Sequence, residues 1–150
     1  MKRRYAHLLR EGRIRPHRTN VAEIASLFAV VERDLADAAI EALSADRRFA
    51  TAYNAALQAA TAMMYAEGYR ASGGSHHRTA FEFLKAISVE EFGEWADYFD
   101  DCRRKRNQAD YVGVGCVSDT EARYLLTEAR KFVEMARRWC REWHPELMPT

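Results

Sequence analysis

The stretch Cys102-Arg103-Arg104-Lys105-Arg106-Asn107-Gln108-Ala109-Asp110-Tyr111 sets four consecutive cations where a helix ends. Counting by threes and fours from Phe92, the apolar face of that helix arrives at Arg103 and Arg106, while Arg104 and Lys105 fall on the outer side. An arginine at the edge of a core has to meet an acceptor, and its planar fork suits a phosphate or a carboxylate. Asn107 and Tyr111 add polar groups able to touch a ribose or a base. A purely structural account fits the same residues. Cations in a last helical turn complement free carbonyls and the helix dipole, Asp110 can bridge back to Arg106, and Asn107 and Tyr111 are ordinary loop formers.

The pair His76-His77, after the Gly73-Gly74 turn, is the second group able to move a proton near neutral pH. As a general-base pair or a metal site it is incomplete, because no Asp, Glu or Cys stands at ligand spacing in the same segment. One of the two is expected to cap and pack, the other to be solvated. Cys102, Cys116 and Cys140 are odd in number and lack CxxC spacing, which argues against a disulfide framework or a zinc site. Cys116, in a glycine loop, is the most exposed of them and has no histidine nearby in sequence. Trp139 and Trp143, with Arg138 and Arg141 alongside, can stack on bases, although core and dimer packing explain them more simply. No P-loop, GxGxxG or HExxH occurs, so neither a cofactor nor a metal is expected.

The elements that hold these residues read as helices almost throughout. There are 25 alanines, and apolar residues recur at threes and fours. Thr19 or Asn20 can cap a first helix with Glu23 placed for a capping box, on the stripe Ile24, Phe28, Val31, Leu35, Ala38 and Ala42. Ser44 or Asp46 starts a second, with Phe49, Tyr53, Ala56, Ala60, Met63 and Met64 inward, running to about Tyr69. A short amphipathic segment from about His77 to Ile87 follows the Ser72-Gly73-Gly74-Ser75 turn. Ser88 caps a helix reaching about Asn107, and Tyr111-Val112-Gly113-Val114-Gly115 reads as a loop. Ser118 or Asp119 caps the last helix, with Leu125, Ala129, Phe132, Ala136, Trp139 and Trp143 inward, and Pro145 stops it. The expected fold is all-α: an up-and-down bundle of four long helices plus one short helix.

Composition sets the frame. At 150 residues, 48% hydrophobic and 30% charged, the chain has the makeup of one globular domain rather than a disordered or fibrous class. Its net charge of +1 is unevenly divided: residues 1–18 hold seven Lys or Arg against Glu11 alone, or +6, which leaves −5 for the rest. Residues 1–18 therefore read as a basic N-terminal arm, and 19–150 as the bundle. The arm is either a contact for phosphates or an acidic partner, or a solvated tail. No apolar run approaches the ~18 residues of a membrane span, and no signal peptide is seen, so a reducing cytoplasm without membrane attachment is expected.

Taken together, Tyr53-Asn54-Ala55-Ala56, Glu67-Gly68-Tyr69-Arg70, His76-His77-Arg78, the Arg103 to Tyr111 run and Glu121-Ala122 to Ala129-Arg130-Lys131-Phe132 resemble a bacterial branch of the HEPN domain superfamily. The likeness covers roughly residues 19–143, and Gly12 to His17 is similar to the start of that branch. The resemblance implies a helical bundle that forms a homodimer, often beside a minimal nucleotidyltransferase in toxin–antitoxin or phage-defence systems. It also implies RNA. Active members are metal-independent ribonucleases that pair an arginine with a histidine separated from it by four to six residues, at the dimer cleft. Here Arg106-Asn107 fits the first half of that motif, but Tyr111, Val112 and Gly113 stand where the histidine belongs, and counting from Arg103 reaches only Gln108, Ala109 and Asp110.

Three functions follow as expectations. The first is a HEPN-like protein holding a nucleotide or RNA phosphate at a dimer cleft through Arg103, Arg106, Asn107, Asp110 and Tyr111, with little or no catalysis. The second is a ribonuclease in which His76 or His77 replaces the missing histidine beside Arg106. The third is a non-catalytic interaction module for a nucleotidyltransferase partner.

Overall fold

The computed structural model describes residues 2–112 and 116–149, with side chains for 3–108 and 116–149. A 3-10 turn (Lys2–Tyr5) leads through α1 (Ala6–Arg10) and β1 (Ile14–Pro16) to α2 (Val21–Ala38) and α3 (Ala45–Ala66). Then come β2 (Tyr69–Ala71), α4 (His76–Ile87), α5 (Val89–Val112), α6 (Asp119–Trp143) and a second 3-10 turn (Pro145–Leu147). The all-α bundle expected from the periodicity is what forms: α2, α3, α5 and α6 are its long helices, and α4 the shorter one.

α3 is the hub, packing most closely on α2 and α6 and also meeting α4 and α5. It can do so because its inward positions are small: Ala52, Ala55, Ala56, Ala59, Ala60 and Ala62 are all buried, so neighbouring backbones approach closely. On the α5 side the core is aromatic instead. Phe99 bridges the rings of Phe81 (centroids 5.8 Å) and Phe132 (5.2 Å), and Phe92 meets Phe132 edge-on. Such pairs add to the burial of large rings.

The caps follow the sequence closely. Asn20 accepts the Glu23 N–H at 2.8 Å, and Ser44 accepts the Arg47 N–H. Ser118 and Glu121 form a reciprocal capping box. Thr19 instead donates its hydroxyl to the Glu23 carboxylate.

Several expectations need correction. The α3 helix stops at Ala66, not Tyr69, because Gly68 takes φ +93° and turns the chain into β2. β2 pairs antiparallel with β1 in the register Ile14↔Ala71, Arg15↔Arg70 and Pro16↔Tyr69, a small sheet that no alternating pattern announced. α5 runs on to Val112 instead of ending near Asn107, since neither proline nor glycine interrupts the sequence between Gly93 and Gly113. Tyr111 and Val112 are thus helical, and 113–115 lie outside the described residues. Ala42 follows the end of α2 and is exposed, and Trp143, in the last turn of α6, is 62% exposed.

The basic N-terminal segment is folded rather than free. Tyr5, Leu8 and Ile14 are all buried; Tyr5 stacks on Phe83 at 4.1 Å and meets Tyr69 edge-on. Its hydroxyl donates to Glu67 at 2.6 Å, and the other oxygen of Glu67 lies 2.6 Å from His144 Nε2. One carboxylate at the end of α3 therefore ties both ends of the chain to the bundle. Burial raises the Glu67 pKa, but the hydrogen bonds from His144 and Tyr5, with the charges of His144 and Arg4, bring it below the ordinary carboxylate value.

Two outcomes follow for stability. Leu8→Ala should cost about 2–5 kcal/mol in denaturant unfolding, the range for emptying a buried leucine site, where a free arm would lose nothing. A depressed folded pKa gives stability that is present above 4.5, the ordinary carboxylate value, and lost as pH falls through the folded value. Glu67→Gln should therefore reduce stability at neutral pH and flatten its decline on acidification, as read by melting across a pH series.

Candidate functional site

Three elements converge on one phenol. Tyr53 rises from the centre of α3 and is 1% exposed. Its hydroxyl lies 3.2 Å from Nδ1 of His77, in the first turn of α4, and its ring lies under the Arg106 guanidinium of α5 at 5.6 Å to the centroid. α5 also brings Asp100 and Arg103 to this side, three residues apart on the face that carries Arg106. Tyr53 thus joins His77 of α4 to Arg106 of α5.

The two inward arginines differ in their engagements. Arg103 donates from Nε to Asp100 at 2.8 Å, and Arg104 donates to the other oxygen of Asp100 at 3.0 Å. That pairing raises the Arg103 pKa further. Among the described residues Arg106 has no carboxylate partner, only the Tyr53 ring. Arg104 and Lys105 face outward as the periodicity predicts, Arg104 reaching Asp101 as well and Lys105 pairing with Glu121 at 2.9 Å.

The folded N-terminal segment reaches the same neighbourhood. Arg13 donates to the Thr79 hydroxyl at 3.2 and 3.0 Å and pairs with Glu82, two and five residues beyond His77 on α4. Glu82 also carries its charge to Arg103. Arg15 is exposed and opposite Arg70 in the strand pair, with no described contact to the cluster.

Electrostatics set the protonation states. Burial, then the charges of Arg106 and Arg103, then His76, hold the His77 pKa below the usual imidazole value, so the ring is neutral at pH 7. Tyr53 is pushed well above an ordinary phenol by burial, against the opposing pull of Arg106 and Arg103, and keeps its proton. If His77 donates its Nδ1 proton to the Tyr53 oxygen, Nε2 is left with a lone pair, the form a general base requires. A neutral imidazole can accept a hydroxyl proton, and the guanidinium beside it, with no carboxylate partner among the described residues, can hold a phosphate.

Of the residues singled out in the sequence, Arg103, Arg106 and His77 are brought together. His76 is exposed beside them, and Asn107 is exposed one position past Arg106. The side chains of Asp110 and Tyr111 lie outside the described residues. Sequence reasoning missed the site roles of Tyr53, Asp100 and Arg13. For Tyr53 there was a signal: a lone phenol on an inner face otherwise built of alanine, methionine and Phe49 has to find a polar partner.

No curated protein and no solved structure matches the chain. A family model does, that of the SAV_6107-like HEPN family, over residues 38–137. The matched span runs from α3 through most of α6 and includes Tyr53, His77, Asp100, Arg103 and Arg106, leaving only Arg13 of this cluster outside. A helical bundle and a match across two thirds of its length make one conclusion plain: the chain belongs to the SAV_6107-like HEPN family.

Proposed function

We propose that the protein binds RNA, with a phosphate held by Arg106 and steadied by Arg103 beside the neutral His77. The observation that carries this reading is Arg106: it lies against the bundle over the Tyr53 ring, with no described carboxylate to neutralise it. A guanidinium so placed is oriented and has no acceptor among the described residues, and phosphate is the acceptor its fork fits best. Asn107, Asp110 and Tyr111 extend the same end of α5 and would contact ribose or base. In this reading the protein works as a homodimer in a toxin–antitoxin or defence setting, next to a nucleotidyltransferase, as its family resemblance implies. Capture of such a partner by a protein that binds no RNA would replace it with the interaction-module reading.

A second reading, a metal-independent ribonuclease, is favoured by the 3.2 Å contact between Tyr53 and His77. His77 would take the proton of a ribose 2′-hydroxyl, whose oxygen attacks the adjacent phosphorus while Arg106 offsets the developing charge. The 5′-oxygen then leaves with a proton from water, giving a cyclic phosphate and a 5′-hydroxyl.

Binding of a single-stranded oligonucleotide should weaken at least tenfold in Arg106→Ala, and its salt slope should fall by about 1, the change for one lost phosphate contact. Affinity indifferent to salt and to this substitution removes phosphate recognition. In an NMR pH titration the His77 midpoint should lie below the ordinary 6.5 and move up in Arg106→Ala, because removing a nearby cation stabilises the imidazolium. Cleavage, where present, should persist in chelator and vanish in His77→Ala; RNA left intact at high protein concentration leaves only the binding reading.

A further inference from the structure

A carboxylate stands at the edge of the cationic cluster. Glu82 lies on α4 five residues past His77, and α4 packs along α5, which carries Arg103 and Arg106. The charge of Glu82 is felt by Arg103 across that interface. Arg103 uses Nε on Asp100 at 2.8 Å, and its two terminal nitrogens meet no hydrogen-bond acceptor among the described residues. A carboxylate released toward them would form the same charge-assisted bonds that a phosphate needs, and would exclude it.

Arg13 holds Glu82 in place, and is itself pinned on several sides. Its N–H donates to the Leu8 carbonyl at 2.9 Å, and its carbonyl accepts the Ser72 N–H at 2.8 Å. Its side chain donates from Nε and Nη2 to the hydroxyl of Thr79, a fully buried residue one turn before Glu82. From that position Nη2 pairs with Glu82 Oε1. Arg78, one turn earlier on α4, lies 3.6 Å from the same oxygen and is half exposed, so it is the weaker partner. Glu82 Oε2 has no partner among the described residues. Arg13 is therefore what fixes this carboxylate from outside α4.

Resting on the reading that RNA phosphate is held at Arg106 and Arg103, we propose that Arg13 is a positioning residue that keeps this site open to anions by binding Glu82 and withholding it from Arg103. Arg13 acts through Glu82 and does not itself touch the phosphate. The N-terminal segment is then an internal activator of the site. Its displacement would let the protein's own carboxylate occupy the place of the ligand.

The test is a double-mutant cycle in the full chain: Arg13→Ala, Glu82→Gln and the two combined, with the RNA AAAAA in fluorescence anisotropy. Arg13→Ala should weaken binding roughly tenfold, the scale of one lost charge-assisted contact. Glu82→Gln alone should stay within about threefold of the parent, and the combined variant should return to that range, since no carboxylate is left to release. Equal weakening in Arg13→Ala and in the combined variant, or no weakening in Arg13→Ala, overturns the inference. Thr79→Val removes the brace but keeps the Arg13–Glu82 pair; if it reproduces the loss, bracing rather than charge is responsible and the inference falls. NMR titration of His77 without RNA gives a reading independent of ligand. Neutralising Arg103 should raise the His77 midpoint by about half a unit in Arg13→Ala, and by much less in the combined variant. A midpoint that does not move, or moves equally in both, overturns the inference. If the parent protein binds no RNA, the phosphate reading falls and the midpoints alone decide the role of Arg13. Should Arg13→Ala not fold, Arg13→Gln, which keeps an amide donor for Thr79, carries the same comparisons.

Discussion

Burial of α3 on nearly every side is the constraint from which the rest of the molecule follows. A helix surrounded by α2, α4, α5 and α6 can present almost nothing polar, and alanine meets that demand while letting the neighbours come close. The few polar groups it keeps must be answered by other elements. Arg48 donates to the Leu43 carbonyl and pairs with Asp119 at the start of α6, Asn54 donates to Asp34 of α2 at 2.7 Å, and Tyr53 meets His77 of α4. Arg48, Asn54 and Tyr53 thereby each tie α3 to one neighbouring helix. The candidate site is the case in which the answering partner is a titratable ring.

This origin explains the electrostatic asymmetry of the two arginines. Arg103 and Arg106 are one helical turn apart and enter the same field, yet Asp100 stands one turn before Arg103 and holds it, whereas among the described residues only the Tyr53 ring meets Arg106. A ring fixes the position of a guanidinium through weak attraction and leaves its hydrogen-bond donors uncommitted. The same two cations press His77 toward its neutral form. Proton acceptor and cation are thus set side by side without forming an ion pair that would quench either one.

Much of the fold was legible because it rests on local signals. Ser44, Ser118 with Glu121, and Ser88 each cap the helix their sequence promised, and the inward stripes of α3 and α6, Trp143 apart, are buried as the periodicity requires. What escaped was set by tertiary contact. The strand pair β1–β2 exists only because Gly68 ends α3 at positive φ and brings Arg70 opposite Arg15, which no alternation in either segment encodes. The site was half legible. Arg103, Arg106 and His77 stood out by residue type and spacing, but His77 and Arg106 stand 29 positions apart, and a sequence reading has no means of measuring across that gap. The phenol that closes it was hidden in plain view as a core residue.

The charge of the N-terminal segment changes meaning for the same reason. As a tail, its +6 would act through many loose phosphate contacts and a steep dependence on salt. In the folded protein two of those cations are committed: Arg13 to Thr79 and Glu82, and Arg4 to the Ile87 carbonyl at 2.9 Å. Arg13 braces α4 where His77 begins it, so the segment shapes the site more than it charges it.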